Sequence, residues 1–294
     1  MSTTEPSANN VHEDVALFRA AVQFTAAQSG FVPRLIEKDY FCTILLAYLS
    51  KEAGDDLVFK GGTCLAKVHS ELYRLSEDLD YAISVPVKTS RAERSQRTES
   101  VRSALSGLKN AIPAYRVVDA LKGANQSKQY IAVVEYKSLL SEQEETIKIE
   151  ISLRESLLMP AVVGQARTLL LNPLTSRAMV SPIHVSSIAK TEALAEKFRA
   201  ALSRREPAIR DFYDIDHAVR KGGLRTDDGA LIGQVKRKLT VPGNEPVNVS
   251  EQQLAVLWRQ LEPQLRPVLR EQDFAEFDLD RAFKIVADMA KAVA

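Results

Sequence analysis

The chain has 294 residues, enough for one large domain or two ordinary ones, and its 45% apolar and 26% charged content is that of a globular protein rather than a disordered one. A net charge of +1 excludes a global basic field, so any nucleic-acid contact must come from a local patch. Two cysteines, Cys42 and Cys64, exclude a disulfide framework and suit a reducing cytoplasm. The longest apolar stretch, near residues 40–49, falls well short of the roughly 20 residues a membrane helix needs.

The first ten residues are polar, lack the basic-then-apolar pattern of a signal peptide, and predict a loose tail. Val15, Phe18, Val22 and Phe24 predict a helix over 11–30. Pro33, Ile36, Tyr40, Ile44 and Ala47 predict a second helix to about Leu49, with Glu37-Lys38-Asp39 on its early turns. As a charged face, that triplet would belong to solvent.

Leu57-Val58-Phe59 suits a short buried strand, followed by Gly61-Gly62 and Thr63. Leu65, Ala66, Val68 and Leu72 then give a helical spacing over Cys64 to Tyr73. Beyond Arg74 the period becomes two, with Asp78 and Asp80 on one strand face. Two like charges at that spacing raise each other's pKa unless a cation lies between them. A divalent metal resolves the conflict, and Mg²⁺ commonly takes one or two carboxylates plus substrate phosphates. Glycine lets backbone approach a ligand closely, and N–H groups at a helix start favour phosphate. A phosphate cradle and a metal cradle in one short stretch point to nucleoside triphosphate chemistry.

Residues 88–111 predict one surface helix with an apolar stripe at Val101, Leu105 and Leu108. Strands follow at Arg116–Val118 and Gln129–Tyr136, joined by a turn holding Gly123, Asn125 and Ser127. Thr146 to Leu153 alternates cleanly and leaves Glu150 on the polar face, as a third carboxylate or as an ordinary partner of a nearby lysine. Residues 164–187 predict irregular connection with at most one short strand, and the domain boundary is expected there.

Ser186 or Ser187 is placed to cap a helix running to about Ser203, on which Lys190, Lys197 and Arg204 form one stripe. Pro207 and Ala208 begin another helix, ending at Gly222-Gly223 and carrying Arg210, Asp211, Asp214 and His217. Asp211 is either catalytic or a structural partner of Arg210, and His217 reads as structural. The last 70 or so residues predict helices, with Lys236-Arg237-Lys238 as a phosphate-binding or merely solubilising cluster.

The Gly-Gly turn followed by Asp-x-Asp resembles the signature of the nucleotidyltransferase superfamily. The fuller form, Lys60-Gly61-Gly62-Thr63-x-Leu65 with Arg74-x-Ser76-x-Asp78-Leu79-Asp80, resembles the AbiEii/AbiGii toxin family, which includes the MenT-type toxins. Glu37-Lys38-Asp39-Tyr40 and Glu196-Lys197 with Arg210-Asp211-x-x-Asp214 are similar to further elements of that family. The resemblance implies an α+β fold: a mixed sheet flanked by helices over 11–165, then a mostly helical domain over 186–294 that lends Lys197 and Asp214 to the site. It implies Asp78, Asp80 and Glu150 as ligands of Mg²⁺ or Mn²⁺. Lys60, Gly61, Gly62, Thr63 and Ser76 would meet the phosphates of an NTP, with Lys190, Arg210 and Asp211 as further nucleotide-binding positions.

The expected activity is therefore that of a cytoplasmic nucleotidyltransferase toxin from a toxin–antitoxin or phage-defence system. Its partners would be an NTP, an RNA acceptor such as a tRNA 3′ end, and a cognate antitoxin, with no membrane. A protein or small-molecule acceptor, or a binding protein that no longer catalyses, are the alternatives. Intact Asp78 and Asp80 argue against the last.

Overall fold

A computed structural model describes residues 10–75 and 77–294. The predicted tail lies almost wholly outside the described residues, as does Ser76. Helix α1, Val15–Ser29, is capped by the Asp14 carboxylate at Leu17 N (3.0 Å) and closed by Gly30 in the left-handed region. Pro33 starts α2, Pro33–Glu52. Strand β1, Val58–Lys60, leads directly into α3, Gly61–Lys67, and β2 follows at Leu79–Ala82. Then come α4, Arg91–Arg97, and α5, Glu99–Ala111. Strands β3, Tyr115–Ala124, β4, Gln129–Lys137, β5, Glu144–Ser152, β6, Val162–Ala166, and β7, Ile183–Ser187, complete the sheet.

The seven strands run in the order β3-β4-β5-β2-β1-β7-β6. Pairing is parallel between β2 and β5 and between β1 and β7, and antiparallel elsewhere. The sheet is mixed and flanked by helices, in agreement with the fold that the resemblance implies. Its core is aromatic on the α2 side: Phe41 stacks on Tyr136 with centroids 3.9 Å apart, and the Tyr115 hydroxyl donates to Phe41 O at 2.6 Å. Burial pushes the Cys42 thiol up to about 12, which makes it a packing residue rather than a reactive one.

Several elements depart from expectation. Helix α3 starts at Gly61, and the helical stretch predicted to Tyr73 stops at Lys67; Leu72 turns left-handed and donates its N–H to Ala66 O at 3.1 Å. The helix predicted over 88–111 is broken at Thr98, whose hydroxyl turns back onto Ser95 O at 2.8 Å, a local bond that competes with helix continuation. Residues 164–187 are not merely connection: β6 and β7 form an antiparallel pair, and β7 carries it onto β1. Ser186 and Ser187 are consumed by that strand, so the next helix starts after Ala189 instead.

Glu37, Lys38 and Asp39 are buried, not solvated. Asp39 ion-pairs with Lys67 and accepts from the Thr168 hydroxyl at 2.6 Å; Lys67 also donates to the Thr43 hydroxyl at 2.7 Å. Glu37 accepts from the Ser138 hydroxyl (2.6 Å) and from Leu139 N (2.7 Å), while burial raises its pKa. Lys38 reaches Glu145 at 3.2 Å. Each buried charge thus has its partner, the condition on which burial is tolerable.

The chain divides into two compact units. The first runs to Leu157 and takes in Ala161–Ser187; the second is Ile188–Ala294 with Leu158–Pro160. The second unit is helical: α6, Lys190–Ser203, α7, Ile209–Arg220, α8, Gly229–Leu239, α9, Glu251–Gln260, α10, Glu271–Glu276, and α11, Leu279–Val293. Buried Asp216 on α7 holds Arg281 of α11 at 2.7 Å. Lys238 is fully buried on α8, between Glu192 (2.7 Å) and Glu196 (3.1 Å) of α6, so it contributes to no surface cluster; Lys236 and Arg237 remain exposed.

Candidate active site

Strand β1 delivers the chain to Gly61, which has φ +76, a conformation open to glycine at no steric cost. The Asp80 side chain lies over this residue: a Cβ on Gly61 would come 2.3 Å from Asp80 Oδ2. At Gly62 the same construction meets Arg74 Nη2 at 2.0 Å, so the paired glycines make room for a carboxylate and a guanidinium. Arg74 is itself buried. The Thr63 hydroxyl donates to Asp78 O at 2.7 Å, joining α3 to the segment that enters β2.

Lys60 stands opposite Asp80 on antiparallel β1, and Glu150 stands opposite Asp80 on parallel β5. Residues in register share a sheet face, so Lys60, Asp80 and Glu150 form a row across three strands. Asp80 and Glu150 are half-buried on that face, as is Asp78 just before β2, while Leu79, Tyr81, Ile149 and Ile151 fill the core behind. Lys148, two residues before Glu150, reaches its Oε2 at 3.2 Å. Burial works against the Lys148 charge, yet Glu150, with Asp78 and Asp80 in range, holds its ammonium above the usual lysine value.

Among the described residues no group of three or more His, Cys, Asp or Glu side chains converges to cage a metal. The donors present, carboxylates beside an open glycine turn, suit a hard cation that takes its remaining ligands from phosphate and water.

The second unit holds its own charged cluster. Lys197 on α6 bridges Asp211 (2.7 Å) and Asp214 (2.8 Å), which project from successive turns of α7. Arg204, at the end of α6, also reaches Asp211 at 3.1 Å. Asp211's ion pairs are thus with Lys197 and Arg204, not with Arg210. Burial alone would raise the Asp211 carboxyl, but Lys197 and Arg204 outweigh it and hold the group below the usual carboxylate range. Burial lowers the His217 pKa against the pull of Asp214, favouring a neutral ring. Lys190 is exposed at the first position of α6, and Arg210 is half-exposed on α7.

The model of the family described as "Nucleotidyl transferase AbiEii toxin, Type IV TA system" matches residues 44–285. The chain belongs to this family. As an AbiEii member it is a nucleotidyltransferase toxin of a type IV toxin–antitoxin system, and an antitoxin is its implied partner. Its fold is similar to that of JHP933 from Helicobacter pylori, with 17% identity, a TM-score of 0.53, and coverage of 90% of this chain and 93% of that one. A nucleotidyltransferase candidate from H. pylori is 18% identical with a TM-score of 0.48, covering 85% and 91%. No curated protein matches. No helix among the described residues is long and apolar enough to cross a membrane.

Sequence reasoning assigned Arg74 and Arg204 no specific partner, and left the lysine beside Glu150 unnamed. Arg74 lies inside the signature itself. Lys148 has the spacing of two that puts it on the Glu150 face. Arg204 belongs to the cationic stripe through Lys197.

Proposed function

We propose that this AbiEii toxin transfers a nucleotide from an NTP to RNA, with a tRNA 3′ end as the acceptor, in a reaction that uses Mg²⁺ or Mn²⁺. The observation that carries the reading is the Asp80 carboxylate lying over Gly61 while in register with Glu150. A metal-binding carboxylate and an open backbone turn are thereby brought within one substrate's reach.

Asp78 and Asp80 would hold the metal. When bound, it neutralises the triphosphate and supplies Lewis-acid stabilisation of the charge that develops on its oxygens. Gly61 and Gly62 let the backbone approach phosphate closely, and the resemblance to the family assigns Thr63 and Ser76 to the same phosphates. An acceptor hydroxyl oxygen attacks the α-phosphorus, the bond to the β-phosphate oxygen breaks, and pyrophosphate leaves. Glu150 completes the ligand set or takes the hydroxyl proton. Lys60 balances the charge of the departing pyrophosphate, and the resemblance to the family, rather than any contact, assigns Lys197, Lys190 and Arg210 to the same charge. Asp214, with Asp211, orients Lys197. The chemistry is mainly positioning and electrostatic stabilisation.

Incubation of the protein with each labelled NTP, Mg²⁺ and total RNA tests this. Label should enter the tRNA fraction in a metal-dependent way. Label in protein or small molecules instead would replace the acceptor, and no transfer with any NTP would overturn the reading.

A further inference from the structure

A cavity of about 490 Å³ opens between α4, α5 and the β3–β4 hairpin. Arg91, Ser95, Arg102, Ser127 and Tyr130 supply its polar lining, and no carboxylate lines it. Arg91 is exposed, and among the described residues it pairs with no acid. Arg102 is pre-set: its guanidinium lies over the Tyr130 ring, 5.5 Å from the centroid, and donates to Ser95 O at 3.0 Å. Glu99 contacts it at 3.4 Å, but that side chain is 73% exposed and balances the charge only weakly.

The hairpin side of the cavity is unusual. Asn125, Gln126 and Ser127 all have positive φ, at 49°, 58° and 60°. Three successive left-handed residues without glycine store strain, a feature that gathers at ligand-binding positions. Gly123 keeps the wall open, since a Cβ there would lie 3.1 Å from Ser127 Oγ and 3.2 Å from the Tyr130 ring. Lys122 and Lys128 flank the hairpin turn in sequence.

We infer that this cavity binds a backbone phosphate of the RNA acceptor. Two guanidinium groups with serine hydroxyls match a phosphodiester, which arginine recognises through forked donors. Tyr130 is in register with Ile151, the neighbour of Glu150, so the pleat turns the cavity to the opposite sheet face from Asp80 and Glu150. A ligand engaging both must pass round the rim of the sheet, which suits a polynucleotide and not a free nucleotide. The chain's net charge of +1 makes such a local patch necessary for RNA binding. The inference rests on RNA being the acceptor.

The test is fluorescence-anisotropy titration of labelled tRNA against the full-length chain, wild type, Arg91→Ala, Arg91→Glu and Arg91→Lys, across a range of salt. Removing one phosphate contact should lower the magnitude of the log K against log salt slope by about 1. Affinity at low salt should fall several-fold for Arg91→Ala, further for Arg91→Glu, and recover in Arg91→Lys. NTP affinity should not change in any variant. If RNA is bound and labelled but Arg91→Glu matches wild type in affinity and slope, the cavity assignment falls while the acceptor reading stands. If wild type binds no RNA, both fall. If Arg91→Glu loses NTP or inorganic phosphate affinity and keeps its RNA affinity, the cavity takes free phosphate and the inference is overturned.

Discussion

The Asp80 carboxylate occupies the space that a side chain on Gly61 would need, 2.3 Å from the position of such a Cβ. Gly61→Ala therefore carries two penalties, a strained φ of about 1–3 kcal/mol and a displaced carboxylate. A shift of about 1 Å in a reacting group costs on the order of 10²-fold in rate. The variant should melt at a lower temperature than wild type, and its folded fraction should transfer nucleotide about 10²-fold more slowly. Thermal melts with kcat per folded molecule check both, and wild-type kcat would show that Asp80 need not stand where it does.

Asp80→Ala and Asp78→Ala remove proposed metal ligands at half-buried positions, so the fold should survive. Loss of several kcal/mol of transition-state stabilisation corresponds to roughly 10³-fold or more in rate. Near-normal transfer by the folded double variant would sink the roles given to both aspartates.

Lys197 and Lys190 share a stripe on α6 but not an environment. Lys197→Ala takes away the ammonium 2.8 Å from Asp214, which is fully buried, and removing one member of a buried pair costs about 3–5 kcal/mol. Lys190 is exposed, so its replacement should change stability by no more than about 0.5 kcal/mol. Lys197→Ala should also reduce turnover per folded molecule far more than Lys190→Ala. Equal losses in steady-state kinetics would remove the special role of Lys197.

The depressed Asp211 carboxyl makes a pH prediction. Between the ordinary aspartate value and the lower folded one, the unfolded chain binds more protons than the folded chain. The contribution of Asp211 to stability is therefore fully present above the ordinary value and is lost as pH falls through the folded one. Asp211→Asn should destabilise by about 1–3 kcal/mol at pH 7, with the gap to wild type closing in strong acid. Denaturant melts across pH check this; a gap independent of pH would mean the ion pairs with Lys197 and Arg204 contribute nothing.

Expression of the chain alone should slow bacterial growth, and its antitoxin should restore it. Asp80→Ala should be harmless at equal abundance, because the harm is expected to come from the transfer reaction. Growth curves after induction, with immunoblots, decide between them. A mutant as toxic as wild type would assign the harm to binding or aggregation.

What could be read in advance was whatever depended on neighbours in sequence. The glycine turn, the period-two strand and the Glu150 alternation are local patterns, and β1, β2 and β5 form where they predicted. The buried state of Glu37, Lys38 and Asp39 was not readable, because their partners Ser138, Glu145 and Thr168 lie about a hundred residues away or more. Of strands β6 and β7 only one was allowed for, without its place, for a similar reason. Val162–Ala166 carries Gly164, β7 follows Pro182, and neither segment looks like a strand until the other and β1 pair with it. Helix α6 likewise gave up its expected serine cap because β7 uses those residues. The relation of Asp80 to Glu150 is a matter of register between strands far apart in the chain, and periodicity alone does not fix register.

The pairing of β1 with β7 has a consequence for the growing polypeptide on the ribosome. Until residue 187 has emerged, β1 has one bare edge, and Asp39 lacks the Thr168 hydroxyl that completes its shell. Contacts this distant in sequence form late, after the cost of closing a long loop has been met. A nascent chain therefore carries the whole Gly-Gly and Asp-x-Asp signature well before the scaffold that holds it rigid exists. For a toxin that harms its own maker, such a delay would postpone activity until most of the chain has been translated.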